Sequence, residues 1–181
     1  MRKILAGLIA FFMIFAIGCN KKTDSADSKK AKQAEEFVTA FFNQVEVIDD
    51  FFKDPESLNK VLEDNSNLSD SESISKYINE LRKYVSDETI KKFAADRELF
   101  PDAYKVVKST KISNFEYAVP QNSDKDALDT TFTVTFLNEN GEEIDKVDYR
   151  LRMVYKDGKS VDAFADLFPS KGVHDYYEAN K

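Results

Sequence analysis

The segment TFTVTFLNENGEEIDKVDYRLRMVY, residues 131–155, decides the fold of this chain. In residues 131–136, threonines alternate with Phe or Val, a pattern that predicts a strand with one apolar face. Asn140-Gly141 favours a hairpin turn, because both central residues of a type I′ turn have positive φ. On the return strand, apolar side chains again occupy alternate positions: Val147, Tyr149, Leu151, Met153 and Tyr155. The segment therefore predicts an antiparallel hairpin with one face to bury.

The other face of this hairpin is polar and carries two arginines. It presents Thr131, Thr133, Thr135, Arg150 and Arg152. Arginine is enriched at protein interfaces, so this face is the predicted docking surface for a partner. The alternative is an ordinary solvent-exposed face, with threonine selected for strand propensity and arginine for solubility.

Further strands are predicted on both sides of the hairpin. Before it, apolar residues alternate at Phe115, Tyr117 and Val119. After it, Asp157-Gly158 predicts a second turn that leads into residues 160–168. We therefore expect an antiparallel sheet of about four strands.

The first hundred residues have a helical period instead. Apolar residues recur every three or four positions along one predicted helix: Ala34, Phe37, Val38, Phe41, Val45 and Ile48. Later helices are predicted to begin at Asp54-Pro55, at the capping box Ser69–Glu72 and at Asp87. Helices followed by an antiparallel sheet make an α+β order, and we expect the sheet to curve around the first long helix.

The N-terminus has the features of an export signal. Arg2 and Lys3 precede Ile4–Ile17, which holds no charged residue and is shorter than a membrane span of about 20 residues. The sequence Ala16-Ile17-Gly18-Cys19 resembles the lipobox of bacterial lipoproteins. That resemblance implies cleavage before Cys19 and a diacylglycerol on its thiol. An ordinary cleavable signal with an incidental cysteine is the alternative.

These features divide the chain into four predicted parts. They are a lipoprotein signal peptide (1–18), a flexible polar tether (19–32), an α+β domain (33–169) and a polar C-terminal tail (170–181). Two acyl chains are enough for stable membrane anchoring. The predicted location is therefore the extracytoplasmic side of a bacterial membrane, with the membrane itself as one partner.

Composition narrows the classes of function. The 26 Lys and Arg residues stand against 33 Asp and Glu, and loss of Arg2 and Lys3 with the leader moves the net charge from −7 to −9. An acidic chain does not favour nucleic-acid binding, which depends on clustered Lys and Arg. A single cysteine cannot form an internal disulfide, so stability must come from packing, for which the chain has 15 Phe and 8 Tyr.

The sequence contains no motif for catalysis, a metal or a cofactor. His174 is the only histidine and has no neighbouring Ser or Cys nucleophile, so we interpret it as a surface residue. Zinc sites need clusters of Cys and His, and phosphate loops need closely spaced glycines. We therefore predict no catalytic residue, no metal site and no cofactor, and a protein that is not an enzyme.

Three segments resemble the NTF2-like (cystatin-like) superfamily as it occurs in exported bacterial lipoproteins: Phe37–Phe42, Tyr84–Thr89 and Leu151–Lys159. The resemblance covers residues 31–168 and implies helices packed on a curved sheet to form a cone. Relatives include the NTF2-like subunit of type IV secretion and conjugation machines. The resemblance thus implies a non-enzymatic binding or assembly module of a cell-envelope complex, with an envelope protein as partner.

Two alternatives follow from the same resemblance. In the first, the cone binds a small ligand, and its candidate lining residues are Phe37, Phe41, Tyr117, Phe132, Phe136, Tyr149 and Tyr155. In the second, the protein is an isomerase-like enzyme of the kind that uses a Tyr as oxyanion donor and an Asp as base. The sequence alone assigns no oligomeric state.

Overall fold

The chain folds as helices followed by an antiparallel sheet, which confirms the predicted α+β class. The computed structural model describes residues 25–63, 72–96, 98–120, 126–156, 159–165, 167 and 169–181. The predicted signal peptide with Cys19, the capping residue Ser69 and the turn Asp157-Gly158 lie outside the described residues.

The described helices are mostly short and amphipathic. In chain order they are α1 (Ser25–Phe42), a 3₁₀ helix (Asn43–Glu46), α2 (Ile48–Lys53), α3 (Glu56–Glu63), α4 (Glu72–Leu81), α5 (Asp87–Ala95), a second 3₁₀ helix (Asp102–Val106) and α6 (Lys171–Asn180). Every residue of the predicted buried face from Ala34 to Ile48 is at most 6% exposed, so the burial is confirmed. The prediction of a single helix over this range is wrong, because α1 ends at Phe42 and Val45 and Ile48 lie in the 3₁₀ helix and in α2.

The sheet follows the chain in order. Its strands are β1 (Ser109–Ala118), β2 (Ala127–Leu137), β3 (Glu143–Lys156) and β4 (Lys159–Ala165), and each pairs antiparallel with the next. Phe132 of β2 lies opposite Tyr149 of β3, and both are buried against the helices. The period-two prediction for this hairpin is therefore confirmed on its inner face.

Aromatic rings join α1 to the inner face of the sheet. Phe42, at the last turn of α1, lies 5.5 Å from Tyr149, 6.0 Å from Phe136 and 6.3 Å from Phe132, measured between ring centroids. Tilted and edge-to-face contacts at these distances are favourable for aromatic side chains. The core is therefore centred where the first helix crosses β2 and β3.

The first helix begins earlier than predicted. The flexible tether predicted over 19–32 is wrong from Ser25 onward, because α1 starts there and Ala31 is buried. Two contacts hold this first part of the helix against the sheet. The Tyr155 hydroxyl donates to the Lys30 carbonyl (3.1 Å), and the Lys30 ammonium pairs with Asp126. Residues 25–32 thus belong to the folded domain.

The polar segment predicted as a C-terminal tail, residues 170–181, contains helix α6. Ser170 caps it by accepting a hydrogen bond from the Val173 N–H (3.2 Å). Val173 is fully buried and Tyr177 packs against the core. These two residues are four apart and lie on one helical face, which explains how a mostly polar segment is fixed.

The hairpin at Asn140-Gly141 is confirmed, but its predicted turn type is wrong. Gly141 has φ +77°, whereas Asn140 is not among the described residues with positive φ, so the turn is not type I′. The buried Asn138 organises the loop instead. Its side-chain oxygen accepts from the N–H groups of Asn140 (3.0 Å) and Glu142 (2.9 Å). A three-residue loop that ends in a left-handed glycine is another common hairpin connection.

A buried glutamine fixes the passage from the helices to the sheet. Phe100 has φ +55°, an uncommon conformation for a bulky residue, and stacks on Phe51 with ring centroids 4.5 Å apart. Its N–H donates to the Gln44 Oε1 at 2.6 Å, and both residues are buried. The Gln44 side chain thus satisfies a backbone donor that would otherwise be orphaned in the core.

Candidate functional site

The predicted docking surface lies on the outer face of β2 and β3, opposite the aromatic core. Cross-strand pairing places Asp129 opposite Arg152, Thr131 opposite Arg150, Thr133 opposite Asp148 and Thr135 opposite Lys146. Directly opposed residues in an antiparallel pair share a face. The structure therefore brings all five of the predicted residues together on one side of the sheet.

A shallow depression occupies one end of this face. It has a volume of about 410 Å³ and is lined by Asp129, Thr130, Thr131, Arg150, Leu151 and Arg152. Three of the predicted residues, Thr131, Arg150 and Arg152, therefore border a concave surface. We refer to this depression as the Arg150 site.

Thr133 is not available to a partner. It is only 4% exposed, its hydroxyl donates to the Asp148 carboxylate (2.6 Å), and it accepts from the Asn114 side-chain amide (3.1 Å). The predicted set therefore divides into the buried Thr133, which ties three strands together, three residues at the Arg150 site, and the half-exposed Thr135, which lies outside that site.

The two arginines of the site have different surroundings. Arg152 forms a two-pronged ion pair with Asp129, in which the Arg152 Nη2 to Asp129 Oδ2 distance is 2.7 Å. Hydrogen bonding from Arg152 holds the pKa of the Asp129 carboxyl below its ordinary value. Arg150 is exposed, and within the described residues no hydrogen bond or ion pair engages its guanidinium. The site thus pairs a fixed ion pair with an arginine free to bind an anion.

The Asp129–Arg152 pair gives an acid-dependent contribution to stability. The pKa of Asp129 is lower in the folded state than in the unfolded state, so the ion pair stabilises the fold at pH values above the unfolded-state pKa. This stabilisation is lost as the pH falls through the lower, folded-state pKa. We expect Asp129→Asn to lower the free energy of unfolding by about 0.5 kcal/mol at pH 7, as is typical of exposed ion pairs. The difference from the wild type should vanish in urea titrations at pH 2 to 3 (about one unit below the ordinary carboxyl pKa). A difference that persists unchanged at that pH would show that Asp129 acts through something other than its charge.

Most of the residues predicted to line an interior cavity are buried, and some of their rings are in contact. Apart from Tyr117, they are at most 5% exposed: Phe37, Phe41, Phe132, Phe136, Tyr149 and Tyr155. Ring centroids are 6.0 Å apart for Phe37 and Phe41, and 5.9 Å for Phe132 and Tyr149. Tyr117 lies on β1 and is 40% exposed. The six buried residues therefore belong to the hydrophobic core, and Tyr117 lies at the surface.

The interior also holds a carboxylate that the sequence analysis did not identify. Glu98 is 3% exposed and its Oε1 accepts from the Leu167 N–H at 3.4 Å. Tyr104 lies beside it, fully buried, with its hydroxyl 3.5 Å from the Leu167 carbonyl. Burial, reinforced by Tyr149 and by the charge of Glu98, raises the pKa of Tyr104. These groups fix the segment after β4 to the core. The only sequence feature that points to this buried carboxylate is the position of a charged residue directly before the apolar pair Leu99-Phe100.

A second depression, between α1 and α4, is acidic. It has a volume of about 410 Å³ and is lined by Glu35, Glu36, Thr39, Ala40, Asn43, Glu80 and Tyr84. Glu80 pairs with Lys83 and accepts from the Tyr84 hydroxyl (3.2 Å), and hydrogen bonding from Lys83 lowers the pKa of Glu80. The charge of Glu80 is therefore partly neutralised by its own neighbours.

The described residues were also compared with the requirements of a metal site and of a membrane-spanning helix, and they meet neither. Among the described residues, no group of three or more His, Cys, Asp or Glu side chains is arranged to hold a metal ion. His174 is exposed on α6. Of the helices in the described ranges, none combines the length and apolar character needed to cross a bilayer. Comparison with known proteins gave no match to a family model, a curated protein or a solved structure.

Proposed function

We propose that the protein is an exported, lipid-anchored lipoprotein whose α+β domain binds a protein of the cell envelope through the Arg150 site. The anchor is the diacylglycerol expected on Cys19, and the domain is of the NTF2-like type, with its helices packed in the concave side of the sheet. Its role is assembly or binding within an envelope complex, such as a conjugation or type IV secretion channel. No catalytic step is part of the proposal.

The observation that carries the proposal is the state of Arg150. It stands exposed in a depression, opposite the exposed Thr131 and next to an ion pair that already satisfies Arg152. A planar guanidinium without an internal partner matches a carboxylate of another protein, which it can bind through two parallel hydrogen bonds. The partner segment is thus expected to present an Asp or Glu side chain.

Two further features support a surface role over an interior one. Six of the seven residues predicted to line the cone are buried in the hydrophobic core, whereas binding at the outer face needs no rearrangement of that core. The unpaired Arg150 guanidinium gives a local attraction for an anionic segment on a chain whose net charge of −7 repels anions overall, so it directs such a segment to this site.

The test is site-specific photo-crosslinking of the full chain in intact host cells. A photo-crosslinking residue in place of Thr135 reports on the outer face, and one in place of the exposed Asn59 on α3 is the positional control. We expect the first, and not the second, to crosslink to a membrane-complex subunit identified by mass spectrometry. Cys19→Ala should abolish the crosslink because it removes the proposed anchor.

Charge reversal then tests the residue that carries the proposal. We expect Arg150→Glu to reduce the Thr135 crosslink at least about tenfold, because it places like charges against each other at the centre of the site. Lys91→Glu, at an exposed position on α5, changes the net charge equally and should leave the yield unchanged. Equal yields from the two variants would overturn the assignment to Arg150.

A further inference from the structure

Strand β1 forms an open edge of the sheet. In the strand order β1-β2-β3-β4 it has a neighbour on one side, and none of its residues is buried. In the described part of the chain, its inter-strand backbone hydrogen bonds go to β2 alone. Tyr117 on this strand and Val119 just beyond it are 40% and 51% exposed, the large hydrophobic residues that stand out on the described surface. An edge with free N–H and C=O groups is a template for pairing with another strand.

A bulge in the middle of β1 changes which residues share a face. Ser113 lies opposite Thr133 and Glu116 lies opposite Thr131, so two residues of β1 oppose the single Phe132 between them. Asn114, in the bulge, has φ +52°. The bulge puts Lys111 and Glu116, five positions apart, on the same outer face of the sheet, whereas a regular strand would put them on opposite faces.

This arrangement makes β1 complementary to itself. We propose that two copies of this chain associate through antiparallel pairing of β1 with β1, with Lys111 of each copy opposite Glu116 of the other. The two-fold axis passes between Ser113 and Asn114. The opposed pairs are then Ser109 with Ala118, Thr110 with Tyr117, Lys111 with Glu116, Ile112 with Phe115, and Ser113 with Asn114. Every one of these pairs joins residues of the same face.

The register follows from charge and burial. Centring the pair on Lys111 or on Glu116 would oppose like charges, which destabilises cross-strand pairing. The proposed register instead forms two Lys–Glu pairs and covers Ile112 and Phe115, which are half-buried against the core of their own chain. A bulge commonly protects an edge against unspecific pairing, and here it restricts the edge to one partner and one register.

The pairing is independent of the proposed function at the Arg150 site. Arg150 lies on β3, separated from β1 by β2, so the pairing leaves it open. Failure of the dimer test therefore leaves the docking proposal standing, and failure of the docking test leaves this one standing.

The first experiment links the two partners of the predicted ion pair directly. Full-length chains with natural and heavy isotopes are purified in detergent with micelles in large excess, mixed, and treated with a carbodiimide, which joins amines to carboxylates without a spacer. We expect a Lys111–Glu116 crosslink between differently labelled chains, and a dimer in sedimentation velocity at about 100 µM. A monomer at this concentration, or a crosslink confined to chains of one label, would overturn the proposal.

Charge swaps provide the second experiment. Lys111→Glu and Glu116→Lys should each raise the dimer dissociation constant about tenfold, and combining them should restore it, because opposite charges face each other again. Lys146→Glu, an exposed charge change of the same size on β3, is the control and should have no effect. All three positions are on the surface, so folding is retained and can be verified by circular dichroism. A double variant as weak as the single ones would contradict the register.

Discussion

Replacing Phe42 with alanine will lower the free energy of unfolding by about 3 to 5 kcal/mol, the range for removing a buried phenylalanine from a packed core. Phe42 is fully buried at the end of α1, and its ring contacts Phe41, Phe132, Phe136 and Tyr149. The truncation removes apolar surface and leaves a cavity bounded by four rings on three different elements, which cannot collapse together. Urea unfolding followed by far-ultraviolet circular dichroism measures the loss.

Two variants make this result specific to packing. Phe42→Leu retains most of the apolar volume and should cost clearly less than the alanine variant. Thr39→Ala changes an exposed residue on the same helix and should alter stability by no more than about 0.5 kcal/mol. If Phe42→Ala cost no more than Thr39→Ala, the ring cluster would not be the centre of the core.

Periodicity predicts the buried residues around Phe42, including Phe37 and Phe41, although the periodic set does not contain Phe42 itself. The spacing of apolar residues predicts buried faces on the first helix and on β3, and the structure buries all of the predicted residues except Val147, which is half-buried. These faces contain enough large apolar side chains to dominate the local energetics, so the packed fold follows the pattern.

Element ends are less predictable, because they depend on individual side-chain contacts, some of them with residues distant in the chain. Asp87 has the residue type of an N-cap, but the cap of α5 is Ser86, whose hydroxyl accepts from the Thr89 N–H. The Asp87 carboxylate instead accepts a hydrogen bond from the Arg82 Nε at 2.7 Å. Similarly, residues 25–30 are helical because Tyr155, more than a hundred residues away in sequence, holds the Lys30 carbonyl. Helix propensity depends on residue type alone, so it predicts neither of these contacts.

At the candidate site, too, periodicity predicts which residues share a face but not which contacts they form. Alternation along β2 and β3 predicts that Thr131, Arg150 and Arg152 share a face, and they do. Alternation could not predict that Asp129 forms its ion pair with Arg152 and leaves Arg150 unpaired. The choice of partner depends on the cross-strand register. The burial of Thr133 likewise depends on the bulge at Asn114, whose amide reaches over β2. Register and irregularity, more than composition, therefore determine which polar residues are available to bind.

The second large effect is expected at Gly172, in the first turn of α6. Glycine to alanine in a helix ordinarily stabilises a protein by about 0.5 to 1 kcal/mol, because alanine loses less backbone entropy on folding. At this position the added Cβ would lie 2.2 Å from the Asp145 Oδ2 and 2.5 Å from its Cγ. The same carboxylate accepts a hydrogen bond from Ser170, the N-cap of α6. We expect Gly172→Ala to destabilise the protein by about 1 to 3 kcal/mol, the range for overpacking.

The sign of this effect should reverse when the carboxylate is absent. In an Asp145→Ala background, the same glycine substitution has no carboxylate to displace, so it should be neutral or stabilise by up to about 1 kcal/mol. Thermal or urea unfolding of the four members of this double-mutant cycle gives the coupling energy between positions 145 and 172. A large coupling would show that α6 docks on β3 through close approach at a residue without a side chain. If Gly172→Ala were equally harmful in both backgrounds, the constraint would lie elsewhere in α6, and the docking of this helix on Asp145 would be contradicted.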